Sequence, residues 1–160
     1  MAVPHVDLSM LLNQSGYALT NRLTAGLEEL GISVRIYCLL AKAADGEHTQ
    51  ARLAELAWLD KTTMVVATDE MERRGLAERR PSPADRRVKV VAITAEGRRV
   101  LAAADAIVRG VYDEVLGDLP EADVATFVAV LEHLVAGSLA APFHLEKRVR
   151  RRAGGGRRRR

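Results

Sequence analysis

The residues of this chain that could do chemistry offer recognition rather than catalysis. One cluster is RRPSPADRR, residues 79–87, where two arginine pairs flank two prolines and an aspartate. Arg86 and Arg87 place two permanent charges at the tip of a short connection, each a planar fork of donors suited to phosphate oxygens. A narrow minor groove concentrates negative potential and draws in such an arginine. Asp85 repels phosphate, but it stands two residues before Arg87, and its carboxylate can hold that guanidinium in one rotamer. An arginine ordered in advance loses less entropy on binding. The other cluster is KTTMVVATDEMERR, residues 61–74. If Met64, Ala67, Thr68 and Met71 face a core, then Thr62, Thr63, Val65, Val66 and Asp69 face outward. Adjacent exposed valines are odd on a polar face. In a major groove they meet thymine methyls, while threonine hydroxyls bond phosphates or bases. Lys61 at the helix start can meet a phosphate, reinforced by the helix N-terminus. Taken singly, the valines could cover neighbouring helices and the DRR could be a solvated turn. The place of the valines between a capped turn and a basic hairpin, and of the DRR beside a helix-turn-helix, decides for a nucleic-acid groove.

The elements that must position these residues can be read from spacing. Leu8, Leu11, Leu12, Ser15, Leu19, Leu23, Leu27 and Leu30 fall at spacings of three and four, so 7–30 is one face of a long helix, ended by Gly31. Ser33 caps a second helix with Ile36, Leu39, Leu40 and Ala43 inward. Asp45-Gly46 marks a turn. Two short helices are expected over about 50–57 and 61–74, the second capped by Asp60 and stopped by Gly75. Residues 77–80 and 88–93 read as strands, the second with blurred period-two alternation, and Pro81 and Pro83 keep the connection rigid and out of the sheet. Thr94 caps a helix carrying Val100, Leu101, Ala104, Val108 and Val111. Pro120 starts a last one over about 121–139, with Val124, Phe127, Val128, Leu131 and Val135 on one side. The fold class is mainly α with a small β-hairpin wing: a winged helix-turn-helix over about 33–93. The flanking helices, about 5–30 and 94–140, carry more apolar surface than such a module covers, and that surplus reads as a dimer interface.

Composition agrees. The chain has 160 residues, 48% hydrophobic but only 4% aromatic, so one domain over 1–146 built from Leu, Val and Ala is expected. No run reaches the ~20 apolar residues of a membrane span, and MAVPHVDLS lacks a secretory pattern. A single cysteine excludes an internal disulfide and suits a cytoplasmic setting. Residues from Lys147 onward carry nine positive charges and no acid; removing them from the total of +3 leaves −6 for residues 1–146. The basic character therefore belongs to the tail, 147–160, expected to be disordered and to add sequence-independent affinity for phosphates or simply to be solvated.

At this point the sequence resembles the MarR family (multiple-antibiotic-resistance regulators). The resemblance rests on residues 53–101: LA, an Asp-x-Thr-Thr helix start, an E-x-x-GL-x-x-R ending, a D-R-R wing and an LT-x-x-G-like start to the next helix. It implies a transcriptional regulator, in most members a repressor. Such a protein is a homodimer joined through its first and last helices and bound to an inverted-repeat operator. Residues 61–74 would then enter the major groove, and Arg87, oriented by Asp85, the minor groove. It also implies release by a small phenolic or lipophilic ligand between the dimer helices and the DNA-binding lobes. Asn13, Tyr17, Arg22 and Tyr37 are the candidates for lining that site. The sequence departs from the family pattern at Trp58, where a small residue is usual and where the indole is expected to pack on Leu59 and the second helix. It departs also at Val66, where a polar residue is usual, and at Met71 in place of Leu.

Other chemistry is weaker. Cys38 could make the protein redox-responsive, but in IYCLL it has no obvious group to lower its pKa, and a small core residue is the expected reading. Glu47-His48, Glu132-His133, His5 and His144 lack metal-ligand spacing, so neither metal nor cofactor is expected. No phosphate-cradling glycine loop, nucleophile motif or HExxH occurs, and the protein is not expected to be an enzyme. The competing function is a winged-helix module that docks protein through Val65 and Val66.

Overall fold

The structure, a computed structural model, describes residues 7–140; His5, His144 and the arginine-rich tail lie outside them. The elements are α1 (Leu8–Glu28), α2 (Val34–Ala44), α3 (Gln50–Leu56), α4 (Lys61–Arg73), β1 (Ala77–Pro81), β2 (Lys89–Ile93), α5 (Ala95–Leu116) and α6 (Glu121–Ala136). They fall into two compact units, one through Asp118 and one from Leu119. In the first, α3 and α4 form a helix-turn-helix and β1–β2 an antiparallel wing.

Side-chain caps fix most of these boundaries. Asp7, Ser33, Thr49, Asp60 and Thr94 each accept a hydrogen bond from a backbone N–H three residues on, satisfying a donor that has no partner within the helix. The core of this unit gathers Leu27, Ile36, Leu39, Leu40, Leu53, Met64, Met71, Val91 and Ala104, all at most 1% exposed. Thr68 is fully buried, and its hydroxyl donates to the Met64 carbonyl, so it carries no unsatisfied group.

Three helices end in the same way. After α1, Gly31 N–H bonds Glu28 O and Ile32 N–H bonds Leu27 O; after α4, Gly75 N–H bonds Glu72 O and Leu76 N–H bonds Met71 O. After α3, Trp58 N–H bonds Glu55 O and Leu59 N–H bonds Ala54 O. This is the Schellman pattern, which needs a left-handed residue just past the helix. Gly31 and Gly75 supply it at φ 63° and 67°; at the third position Trp58 stands at φ 54°.

Several expectations change. Helix α1 stops at Glu28, two residues early, because the Schellman turn takes up the residues beyond it. Helix α6 stops at Ala136 instead of 139. Pro81 is inside the sheet, paired with Lys89 at the end of β1, a position at a strand end where its missing N–H does no harm. In β2 the residues Val90 to Ile93 are all buried, so there is no alternation. The reason is a third segment: Val91 N–H donates to His48 O at 2.9 Å, and the loop before α3 joins the wing. Cys38 is exposed at the surface, not in the core. In the second unit α6 is capped by Pro120, and Phe127, Val128, Val130 and Val135 are exposed.

Candidate nucleic-acid interface

Helix α4 presents the outward face that its spacing demands. Met64, Ala67, Thr68 and Met71 are buried, while Lys61, Thr62, Val65, Val66 and Asp69 are exposed, Val66 by 60%. Thr63 is half-buried. Its N–H donates to Asp60 Oδ1 at 2.9 Å and its hydroxyl to Asp60 Oδ2 at 2.6 Å, so its proton is spent on the cap. These two bonds, the hydroxyl first, hold the Asp60 carboxyl below the usual carboxylate range. A charged cap that takes up one of the otherwise unpartnered N–H groups of the first turn keeps the start of α4 rigid next to Lys61. An open, mainly apolar groove of about 600 Å³ runs between α3 and α4, lined by Gln50, Ala51, Ala54, Lys61, Met64 and Val65.

Asp69 is the one carboxylate on the outward face, and it is matched. Arg79, on β1, donates to Asp69 at 2.6 Å, to Gln50 at 3.3 Å and to Glu72; its own N–H donates to Glu72 at 2.7 Å. One guanidinium thus joins α3, α4 and the wing. Partial burial opposes its charge, but the bonds to Asp69 and the field of Glu72 outweigh that, and its pKa is raised. Arg80 ties β1 to Glu47 of the loop before α3. Arg74 donates to Gly31 O and Leu30 O, closing the C-terminus of α1. Sequence reasoning assigns no role to these three. The E-x-x-GL-x-x-R spacing holds the signal for Arg79, since its first and last members are Glu72 and Arg79.

At the wing tip, Arg87 N–H donates to Asp85 Oδ1 at 3.0 Å and its Nε to the same oxygen at 3.3 Å. The backbone bond, then the side-chain bond, lowers the Asp85 pKa. Ser82 N–H to Val88 O and Val88 N–H to Asp85 O close the turn. The Arg87 side chain is 91% exposed, and Arg86 is exposed beside it. The tip therefore offers cations, with Asp85 directing one of them.

The remaining candidates scatter. Arg22 pairs with Glu114 of α5 at a cavity of about 380 Å³ lined by Ser15, Ala18, Leu19, Arg22, Glu114 and Val115. Asn13 and Tyr17 are exposed, and Tyr37 donates to Asp105 at 3.1 Å. Burial and then that bond push the Tyr37 pKa up to about 12. The Cys38 thiol, though at the surface, is crowded enough that desolvation pushes its pKa up, against easy thiolate formation. Among the described residues no three His, Cys, Asp or Glu side chains converge, and no helix is long and apolar enough to cross a membrane.

Comparison with known proteins fits this geometry. The MarR family model matches residues 39–89. The transcriptional regulator HosA of Escherichia coli is 37% identical over 86 residues, 54% of this chain and 64% of HosA, so the match spans just under two thirds of that relative. Among solved structures, CouR of Rhodococcus jostii RHA1, crystallised with p-coumaroyl-CoA, is 29% identical with a TM-score of 0.76, covering 91% of this chain and all of CouR. A MarR-family transcriptional regulator from Rhodococcus sp. RHA1 is 28% identical with a TM-score of 0.75, covering 84% of this chain and 97% of its own. The chain is thus similar to the MarR family over residues 39–89, and its helix order is similar to that of these solved structures over most of its length.

Proposed function

We propose that the protein is a sequence-specific transcriptional regulator that binds double-stranded DNA. In this reading it is a cytoplasmic homodimer that represses by holding an inverted-repeat operator. One observation carries the reading: the exposed face of α4 sets two adjacent valines among Thr62, Lys61 at its start and Arg73 at its end, and its one carboxylate, Asp69, is already paired with Arg79. A face that docked protein would gain nothing from exposed arginines at a wing tip beside it. A groove reader gains from both, since the valines meet methyl groups while Lys61, Arg86 and Arg87 meet phosphate or minor groove. The relatives HosA and the Rhodococcus regulator, both called transcriptional regulators, support it.

Dimerisation rests on surplus apolar surface. Leu8, Met10, Leu11 and Leu12 of α1 are exposed, as are the α6 residues named above. A second copy covers such faces most cheaply, and a two-fold axis then sets the half-sites about one helical turn apart. An effector fits the α1–α5 cavity, where an acidic or phenolic ligand would compete with Glu114 for Arg22; CouR with its aromatic thioester is a precedent in a relative. The raised Cys38 pKa speaks against a redox switch.

The test is fluorescence anisotropy of labelled DNA from upstream of the protein's own gene against scrambled DNA, over a salt series. Selective binding that weakens as salt rises supports a regulator. Equal affinity for both DNAs would favour the protein-docking module instead.

A further inference from the structure

Trp58 is the chain's single tryptophan. It occupies a backbone position where the other two Schellman turns of this fold place glycine, and it does so at φ 54°. A bulky residue in that conformation is strained. Burial does not repay the strain. Trp58 is 52% exposed, and it is absent from the side chains packed on the core, whereas its neighbour Leu59 is among them. The sequence leads one to expect the indole against Leu59 and α2; the structure leaves half of it in solvent. The fold therefore does not account for a tryptophan here, and strain held at an exposed site points to function.

Its location narrows the function. Trp58 lies in the turn of the helix-turn-helix, two residues before Asp60, the cap of α4, and three before Lys61. In this motif the N-terminal end of the second helix is the part that enters the major groove. The turn before it therefore meets the sugar-phosphate backbone at the groove edge. Charge around the turn permits this approach, because Glu55, the nearest acid of α3, is paired with Arg52 at 2.9 Å. An indole offers a broad apolar face for a deoxyribose and one N–H for a phosphate oxygen, and it can accept nothing.

We propose that Trp58 is a DNA-backbone contact that clamps the start of α4 at the edge of the major groove. The assignment rests on the DNA-binding reading above. A phosphate and sugar contact carries no sequence information. It therefore raises affinity for operator and scrambled DNA by the same factor.

Because no other tryptophan is present, the emission of the full-length protein reports this side chain alone. The experiment titrates wild type with the upstream DNA, reading indole emission and the anisotropy of labelled DNA together, and repeats the anisotropy with W58G and W58F. The expected result is quenching and a blue shift that saturate with the anisotropy. W58G should bind both DNAs roughly tenfold more weakly, the worth of one charge-assisted hydrogen bond, and melt within a few degrees of wild type, since glycine relieves the strained φ. W58F, which keeps a ring but no N–H, should recover part of the loss. A saturating anisotropy change with no change in emission, or W58G with wild-type affinity, would overturn the assignment and leave the regulator standing. No anisotropy change for wild type on any DNA would remove both.

Discussion

The hydroxyl of Thr63 shows how one residue can serve the fold and so leave the interface. Its proton goes to Asp60, so of the two adjacent threonines only Thr62 keeps an exposed hydroxyl with no partner among the described residues. The Asp60 cap also gives a pH prediction. Its folded pKa lies below the ordinary aspartate value of 3.8, so its stabilisation is fully present above that value and is lost as pH falls through the folded pKa. The substitution Asp60→Asn would keep the acceptor without titrating. Thermal melts from pH 7 to 3 should show the wild-type Tm falling further than that of D60N; parallel curves would mean the cap carries no charge-dependent stability. On the wing, Arg87→Ala should weaken DNA binding about tenfold or more, the cost of a specific arginine contact, with anisotropy as the measurement. Val66→Arg should change which bases are preferred, checked by selecting sites from a randomised pool. The Asp60 cap and the Asp85–Arg87 pair were legible because their types and spacing are local, whereas the use of the Thr63 hydroxyl in that cap was not.

At the scale of elements, legibility stops where the determinant is a partner far along the chain. The buried face of α4 followed from its period. The loss of alternation in β2 could not, because it depends on His48, more than forty residues away. Pro81 in the sheet is similar: only pairing with Lys89 shows that it sits at a strand end. Arg79 joins residues from three elements, and the local E-x-x-GL-x-x-R spacing marks only its pairing with Glu72, not those with Gln50 and Asp69. Removing it leaves Asp69 and Glu72 facing each other unpaired. Arg79→Ala should therefore lower stability by about 1–2 kcal/mol, reduced from the buried-pair value because solvent reaches the site, and should also weaken DNA binding; Arg79→Lys, lacking the fork, should restore only part of each. Gly97 is the sharper case. A Cβ there would lie 2.0 Å from Leu76 O, because the Thr94 hydroxyl accepts from Gly97 N–H and donates to Gly75 O, drawing α5 onto the turn after α4. Gly97→Ala must push these elements apart and should cost on the order of 3 kcal/mol. Urea unfolding checks it, and an unchanged midpoint would show that the approach is looser.

At the scale of the whole molecule, two quantities read from the sequence have to be reconciled: a body of charge −6 and a tail of nine cations. Apolar surface left exposed on α1 and α6 argues for two copies per complex, and in the proposed dimer both quantities double. On the proposed function the body approaches DNA against its own net charge, favoured locally by the exposed cations Lys61, Arg73, Arg86 and Arg87. The tail can offset that repulsion from any direction, because phosphate neutralisation needs charge but no fixed geometry. If all nine cations met phosphates, each chain would steepen the dependence of log affinity on log salt by about eight. The increment is smaller by about 0.9 for each of the nine cations that meets no phosphate. The comparison is between the full chain and residues 1–146 on operator and scrambled DNA over a salt series. Shortening should flatten both slopes by the same amount and leave the ratio of the two affinities unchanged, because the proposed base reading lies with residues 61–74 and the wing. A ratio that fell on shortening would place part of the sequence reading in the tail; equal slopes for the two chains would leave the arginines with no phosphate to neutralise.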